Sequence, residues 1–421
     1  MNEFFKNLNG GNMESRLEAL SNLLASETAK PVTRENDANN HIHTIYSFSP
    51  YSPTKAAYMA YRAGLTSAGI MDHDSLSGAD EFRKACEILG LGSTTGVEVR
   101  CKFNRGYGKI NHPDQKDCVY MAAHGVPKQN VKPFNEYLQF YRDKRNERNQ
   151  KMCALITEKY SKFGISLDFE RDVVPLSMAE FGGSITERHL LYALSIKLEN
   201  KFNRTEKLVD FLQNDLGLEI KEGVKTNLLD NDNEHFLYDL LGVLKADTGF
   251  FYIDADEEMP NVDEFVKIAK SFGAIPAYAY LGDVGNSITG DKKAQKFEDD
   301  FLPELITELK EIGFDAVAYM PTRNTKEQLE RLTKLLKENQ LFEISGEDIN
   351  SPRQKFFCKA LAQPEYSHLI SSTWALIGHE RITSEKGIEF GMFSKQSVDK
   401  QPNLNERIND FAKIGRKTIK Q

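Results

Sequence analysis

Two histidines separated by one residue are the first group in this sequence that could hold a metal ion. They are His41 and His43, which follow a polar stretch and precede a run rich in serine and proline. Residues i and i+2 of an extended strand project to the same face, so both imidazoles can reach one cation. Such a pair can arise by chance in a chain with 9 histidines, so a site needs further ligands from elsewhere.

A third histidine stands between two carboxylates. His73 is flanked by Asp72 and Asp74, directly after the apolar stretch 68–71. A carboxylate beside a histidine can fix the tautomer of a metal-bound imidazole or take part in proton transfer. A second interpretation is a solvated loop in which Asp74 caps the helix that follows.

Two acidic residues are placed where carboxylates could complete such a site. Glu98 lies within an apolar strand, where an unpaired carboxylate would be costly, so it needs a metal ion or an arginine as partner. Arg100, on the same face of that strand, is the competing partner. Asp348 follows the last predicted strand behind Gly346, which suits a tight turn that presents a carboxylate, although an ordinary solvated turn also fits.

These residues indicate a metal site more strongly as a set than any one of them does alone. His124 ends another predicted strand and shares a face with Tyr120, so either side chain could line the same site. Side chains from four separate strand ends would form a nitrogen and oxygen site suited to zinc, manganese or iron; they are His41, His43, His73, Glu98 and Asp348.

The elements around these residues predict an α/β fold. After the stretch with His41 and His43, a helix that begins at Ser52–Pro53 precedes a strand at 68–71, and a helix that begins near Gly78 precedes a strand at 96–99; a further strand is predicted at 118–123. An order of strand, helix, strand, helix, strand is typical of a parallel α/β arrangement. The polar residues lie at the strand ends, where barrels of this class carry their catalytic groups.

The chain also predicts how this barrel is divided. Helical patterns with little strand signal fill 131–259, and strands return at 274–280, 316–319 and 342–345. We therefore expect a discontinuous barrel in 39–130 and 260–360 and a mostly helical insertion in 131–259. Residues 1–38 are expected to form a helical extension that docks on the main body, and 361–421 a C-terminal extension whose basic tail from residue 401 is mobile.

Composition excludes several classes of protein. The 421 residues carry 54 Lys and Arg against 62 Asp and Glu, a net charge of −8, which argues against broad nucleic-acid binding. No apolar run approaches the ~20 residues that span a bilayer, and no N-terminal signal segment is recognisable. Five scattered cysteines without a CxxC pair disfavour a disulfide scaffold and predict a reducing, cytoplasmic location. Phosphate-binding GxxxxGK[ST] and GxGxxG loops and the GxSxG elbow are absent.

Several segments resemble one known family, the polymerase-and-histidinol-phosphatase (PHP) family. Its pattern of HxHT…SDG, TDH and GxE is similar to the runs HIHTIYSFSPYSP, AGIMDHDSLSGADEF and GVEVR. AIPAYAYLGD lies where the family has an AHP segment, and ISGEDINSP where it has GSDxH. The stretch from residue 142 to ITERHLLYAL resembles the insertion of the family's small phosphoesterase branch, which contains an RPHIA-like segment. The similarity covers about residues 38–356.

The resemblance implies a distorted seven-stranded (β/α)7 barrel with a metal cluster at the strand ends. His41, His43, Glu98 and Asp348 match the ligands of one metal ion, and His73 matches the histidine of TDH. His124 matches loosely, because strict alignment places Tyr120 there. The sequence departs from the family at four places: Phe48 for the aspartate of SDG, Tyr280 for the histidine of AHP, Asn350 for the histidine of GSDxH, and Glu187–Arg188 for Arg–Pro before His189.

The predicted function is a metal-dependent phosphoesterase acting on a small phosphorylated metabolite or nucleotide. One or two divalent ions (Zn, Mn or Fe) would activate a water molecule and polarise the phosphoryl oxygen. Asp72 or His73 would shuttle a proton, and Arg353, Arg188 or His189 would bind the phosphate. The alternatives are a catalytically degenerate barrel that binds a ligand or partner, and a barrel that hydrolyses carbon–nitrogen bonds.

Overall fold

Seven strands form one sheet in the order in which they occur along the chain. The computed structural model describes residues 3–26, 37–112, 114–284 and 296–417. The strands are β1 (Ala38–Ile42), β2 (Ser67–His73), β3 (Gly92–Lys102), β4 (Cys118–His124), β5 (Ile275–Tyr280), β6 (Ala316–Tyr319) and β7 (Phe342–Ser345). A parallel bridge between Ile42 and Ile349 brings β1 to the segment after β7, so the sheet nearly closes. This confirms the predicted distorted α/β barrel.

The expectation of a parallel arrangement is wrong at β4. β1, β2 and β3 are parallel, as are β5, β6 and β7, but β4 is antiparallel to both of its neighbours. Among the described residues the connection 103–117 contains no helix, so the chain lacks the crossover that parallel neighbours need. His124, the last residue of β4, therefore pairs with Gly96, two residues deeper in the barrel than Glu98.

Helices surround the barrel and fill the connections between its strands. α1 (Glu3–Asn7) and α2 (Met13–Ala25) precede β1, and α3 (Pro53–Arg62) and α4 (Ala79–Leu89) connect β1 to β3. Ser52 caps α3 by accepting the N–H of Lys55, with Pro53 in the first turn, as the sequence predicted. α11 (Val262–Ser271), α12 (Leu302–Ile312) and α13 (Lys326–Glu338) accompany the last three strands.

A helical segment with a separate core lies between β4 and β5. It contains α5 (Val131–Tyr137), α6 (Gln139–Ser161), α7 (Glu187–Phe202), α8 (Glu206–Asp210), α9 (Glu222–Leu229) and α10 (Phe236–Leu244). Its apolar side chains form a cluster distinct from the barrel core, built around Ile156, Leu190, Leu194 and Leu240. The helical segment thus lies between β4 and β5 with its own apolar cluster; the division into a barrel and an insertion subdomain at 131 and 259 stays a prediction.

The C-terminal region is more ordered than the sequence suggested. α14 (Ser367–Lys386) packs against the barrel, where Glu380 accepts the N–H of Thr95, and α15 (Lys395–Lys400) and α16 (Leu404–Arg416) follow. α16 crosses α14 so closely that a Cβ atom on Gly378 would lie 1.9 Å from the carbonyl oxygen of Phe411. The expected mobile tail is therefore wrong over α16, while residues 418–421 lie outside the described residues. No helix in the described parts of the chain is long and apolar enough to cross a lipid bilayer.

Candidate metal centre

The predicted ligands come from four neighbouring segments of the sheet. His41 lies in β1 and His43 directly follows it, His73 ends β2, and Asp348 follows β7. Glu98 lies in β3 as the register partner of His73. Because the carboxyl ends of β1, β2 and β7 meet at one rim, the fold brings these five side chains together.

The ligand atoms of the five side chains lie close to one another. His43 Nε2 is 3.2 Å from both His41 Nε2 and Asp348 Oδ1. Glu98 Oε1 is 3.7 Å from His41 Nε2, and Glu98 Oε2 is 3.0 Å from His73 Nδ1. Two overlapping groups of three could each hold an ion: one joins His41, His43 and Asp348, and the other joins His43, His73 and Glu98.

These separations fit a metal ion. In a tetrahedral site with bonds of about 2.0–2.1 Å, two ligand atoms lie roughly 3.3 Å apart. The 3.2 Å separations of His43 from His41 and Asp348 match that distance. Three imidazoles and two carboxylates are the donor types that zinc, manganese and iron accept. The residues therefore fit a divalent cation.

The charge states of the two carboxylates and of His43 also suit coordination. Although burial opposes it, Glu98 raises the pKa of His41, so a cation would have to displace a proton there. Burial opposes the ionisation of Glu98, but His41 and His73 lower its pKa well below the usual value. Burial likewise opposes ionisation of Asp348, and a hydrogen bond from His43 and its charge lower that pKa well below its usual value. Burial and the neighbouring His73 lower the pKa of His43. Ionised carboxylates and a neutral imidazole are the forms that bind metals.

Asp72 lies behind the cluster and holds the turn that carries His43. Its buried carboxylate accepts the Thr44 N–H at 2.6 Å, the Thr44 hydroxyl at 2.6 Å and the Ser47 hydroxyl at 2.7 Å. Ser47 Oγ in turn lies 3.3 Å from His43 Nδ1, which leaves His43 Nε2 as the atom on the ligand cluster. These contacts give Asp72 a structural role in the turn. Its role as a proton shuttle stays a prediction.

His124 and Tyr120 border the cluster without joining either group of three. His124 is buried, and its Nε2 has no hydrogen-bond partner among the described residues. Burial and the charge of His41 lower the pKa of His124 to about 3. The Tyr120 ring lies 6.3 Å from that of His73 and stacks on His112. Ligation by His124 stays a prediction.

The three predicted phosphate-binding residues have different surroundings. Arg188, in the first turn of α7, is half-buried, and its charge contributes to the low pKa of Asp348. Among the described residues its guanidinium has no hydrogen-bond or ion-pair partner. Arg353 is paired with Asp239 of α10 through two contacts of 2.6 Å. His189 is buried in the capping box of α7, where its Nδ1 accepts the Thr186 N–H. The structure thus engages Arg353 and His189 elsewhere, while the charge of Arg188 acts on Asp348; phosphate binding by any of the three stays a prediction.

The positions that depart from the PHP pattern have their own contacts. Phe48 packs edge-on against His189, with a ring separation of 4.9 Å, inside the core of the insertion. The Tyr280 hydroxyl donates to Asp299 at 2.7 Å. The Asn350 amide donates to Asp348 Oδ1 at 2.6 Å and so orients that ligand.

A group of buried ion pairs near the cluster was missed by sequence reasoning. Arg100, expected as the competing partner of Glu98, instead pairs with Glu187 and Glu258. Arg145 pairs with Asp74, which therefore does not cap α4; the N-cap residue of that helix is Gly78. One pattern in the sequence could have indicated this network. Arg142, Arg145 and Arg148 are spaced by three residues, which places them on one face of α6.

Comparison with known proteins gives few matches. No protein-family model matches the chain. Over 59 residues it is 36% identical to a 5′-3′ exoribonuclease from Haemophilus influenzae; this match spans 14% of the chain and 22% of that protein. The chain thus matches only about a fifth of the length of this curated relative.

Two solved structures are similar to the chain over most of its length. One is a protein from Bifidobacterium adolescentis assigned as a metal-dependent phosphoesterase, with a TM-score of 0.51 and 18% identity over 82% of this chain and 97% of that one. The other is an amidohydrolase from Chromobacterium violaceum with bound sulfate and no metal, with a TM-score of 0.49 and 14% identity over 80% and 96% of the two chains. At 18% identity, the first likeness shows a shared fold.

Proposed function

We propose that this protein is a metal-dependent hydrolase that cleaves phosphoesters. The observation that carries the proposal is the spacing of the ligand atoms of His41, His43 and Asp348, which matches a tetrahedral metal site. The barrel shared with the B. adolescentis protein, assigned as a metal-dependent phosphoesterase, supports it. His73 and Glu98 extend the site as a second group that also uses His43. Because the Nε2 of His43 can bind only one ion at a time, a second ion would depend on His73 and Glu98.

A bound divalent cation supplies a water molecule of lowered pKa at neutral pH and polarises a phosphoryl oxygen. Zinc, manganese and iron suit the mixture of imidazole and carboxylate ligands. The Asp348 side chain is 35% exposed, whereas that of His43 is 1% exposed. The site is therefore open on the side of Asp348, where a substrate can approach.

The residues of the chain itself have two tasks in this reaction. Arg188, whose charge acts on Asp348, is assigned the binding of the phosphoryl oxygens, since a guanidinium offers two parallel donors to a phosphate. When water attacks phosphorus and the P–O ester bond breaks, the leaving oxygen needs a proton. When the ion is held by His41, His43 and Asp348, His73 is free for this task and is favoured over Asp72 as the source, because the His73 side chain is 19% exposed, whereas Asp72 is 1% exposed and enclosed by Thr44 and Ser47.

The substrate we propose is a small phosphorylated metabolite or nucleotide. The net charge of −8 disfavours binding of a long nucleic acid, whose affinity depends on phosphate neutralisation. The partial similarity to an exoribonuclease favours phosphodiesters as a second substrate class. Both classes use the same cation and the same anion-binding arginine.

The test combines metal analysis with a substrate panel. The chain is purified without chelator, its metals are quantified, and hydrolysis of p-nitrophenyl phosphate, bis-p-nitrophenyl phosphate and p-nitroacetanilide is measured with added Mn²⁺ or Zn²⁺. We expect stoichiometric metal and hydrolysis of a phosphate substrate, both lost in His41→Ala/His43→Ala. The control His235→Ala/His368→Ala removes two histidines outside the site and retains both properties.

Two outcomes would contradict the proposal. A chain that binds no metal at saturating supply is a degenerate barrel that serves only in binding. Metal-dependent cleavage of the anilide without cleavage of either phosphate would instead assign the site to carbon–nitrogen bonds.

A further inference from the structure

Six charged side chains, all buried except the half-buried Glu187, form a network between the helical insertion and the metal-site rim. Three are basic and three acidic: Arg100 of β3, Arg145 and Arg148 of α6, Asp74 after β2, Glu187 of α7 and Glu258 before α11. Buried ion pairs add little stability over apolar residues of similar size, because desolvation offsets their attraction. A network of this kind is therefore better explained by what it positions.

Asp74 is the member next to the metal site, and every polar group of this residue is held. It follows His73 with a φ of 51°, in the left-handed region that non-glycine residues rarely adopt. Its carboxylate pairs with Arg145, and its carbonyl oxygen accepts a hydrogen bond from Arg142 at 2.7 Å. Its N–H donates to the carbonyl of Glu98 at 2.9 Å. Aspartate adopts this region more readily than most non-glycine residues, and the three contacts hold Asp74 in it.

This conformation affects two ligands at once. The Asp74 N–H ties the end of β2 to Glu98, and the preceding residue, His73, has its Nδ1 3.0 Å from Glu98 Oε2. If Asp74 relaxed to a right-handed conformation, the peptide that joins it to His73 would rotate. The imidazole of His73 would then lose its approach to Glu98.

The other end of the network sets the start of α7. Arg100 and Arg148 both pair with Glu187, and Arg148 also pairs with Glu258. Glu187 directly precedes Arg188, so the same network that holds Asp74 also fixes the turn carrying the proposed phosphate-binding arginine. Helix α6 of the insertion thus links the two halves of the site.

We propose that Arg145 is a positioning residue for the metal centre: through Asp74 it holds His73 in the orientation that binds a cation. The insertion then completes a site whose ligands all come from the barrel. This inference rests on the proposed function for its metal, but the orientation of His73 can be measured without one.

The experiment uses the full chain labelled with ¹⁵N-histidine. Imidazole ¹⁵N signals are recorded for the metal-free protein, and the His73 signal is assigned by its loss in His73→Gln. Zn²⁺ affinity is measured by competition, and the absorption spectrum of the Co²⁺ form reports coordination geometry. The variants are Arg145→Met and Arg145→Lys, with Arg105→Met as the control, because Arg105 forms a more exposed pair with Asp263 away from the site.

We expect Arg145→Met to shift the His73 signal, change the Co²⁺ spectrum and weaken Zn²⁺ binding about 10–100-fold, as loss of an orienting partner does at other sites. Arg145→Lys restores part of each property, and Arg105→Met matches the wild type. If Arg145→Met does not fold, Asp74→Asn carries the test, because asparagine tolerates the left-handed backbone and Arg145 keeps its contact with Glu258.

A folded variant with unchanged His73 signals and unchanged Zn²⁺ affinity overturns the inference. A wild-type chain that binds no cation overturns the proposed function alone. In that case the His73 signal of the metal-free variants still decides whether Arg145 positions this imidazole.

Discussion

His73 Nδ1 lies 3.0 Å from Glu98 Oε2, and the two residues are register partners on the parallel strands β2 and β3. Directly paired residues of neighbouring strands project to the same face, so the barrel itself brings this imidazole and this carboxylate together. The relationship makes Glu98 the carboxylate that joins the β1 histidines to the end of β2.

Replacement of Glu98 by glutamine should remove most of the cation affinity. The amide keeps the size of the side chain but lacks the charge that a divalent ion needs, and we expect affinity to fall by about 100-fold or more. Equilibrium dialysis with Zn²⁺ or Mn²⁺ measures the change. Glu308→Gln, on the outside of the barrel, is the matched control and should bind as the wild type does; equal affinities for the two variants would exclude Glu98 as a ligand.

Cation binding should stabilise the folded chain. A ligand that binds only the folded state adds about 2.7 kcal/mol at a concentration of 100 times its Kd. We therefore expect the melting temperature to rise with added Zn²⁺ or Mn²⁺ and to fall on addition of a chelator. Calorimetry on wild type and His41→Ala/His43→Ala checks this, since the double variant should show no shift with metal. A shift of equal size in both proteins would place the cation elsewhere.

Arg188 should act on the substrate and not on the metal. Hydrogen bonds to charged groups contribute about 1.5–3 kcal/mol, so Arg188→Ala should lower kcat/KM for a phosphoester by about 10–100-fold. Metal content should not change. Arg188→Lys should recover part of the loss, because lysine keeps the charge without the fork. Steady-state kinetics with metal analysis measures both effects, and a loss of bound metal in Arg188→Ala would argue for a structural role.

The free energy of unfolding should fall as the pH rises from about 4.5 to about 8, because the buried carboxyl of Glu380 ionises in this range. Burial raises the pKa of Glu380 to about 8, although hydrogen bonds from Thr95 act in the opposite direction. Between the unfolded and folded pKa values the folded chain holds a proton that the unfolded chain releases, so ionisation disfavours the folded state. Denaturant titrations should show a loss of about 1–4 kcal/mol over this range that is reduced in Glu380→Gln. Identical pH profiles for the two proteins would refute the assignment.

Gly378 should be intolerant of any side chain. A Cβ atom there would lie 1.9 Å from the Phe411 carbonyl oxygen, so α16 must move away from α14 in Gly378→Ala. We expect a loss of about 1–3 kcal/mol in the free energy of unfolding. Gly242→Ala in α10, where nothing lies within 4 Å, is the control and should be neutral or stabilising by up to about 1 kcal/mol. Denaturant unfolding compares the two.

The sequence by itself determined the elements and the ligand candidates. Cap residues such as Ser52, glycine stops and apolar runs are local signals, and they predicted the positions of most helices and strands, although β3 (Gly92–Lys102) is much longer than the predicted 96–99. The alternation of side chains in β1 placed His41 and His43 on one face, and the apolar setting of Glu98 indicated that it needs a partner. These inferences needed only a few neighbouring residues.

Only the tertiary structure decided which distant groups meet. It turned β4 antiparallel, so that His124 lies deeper in the barrel than Glu98, and it enclosed Asp72 between Thr44 and Ser47. It also paired Arg145 with Asp74, 71 residues away along the chain. The partners of a buried charge depend on strand direction and on how an inserted helix packs, and these are properties of long-range contacts that no local pattern encodes.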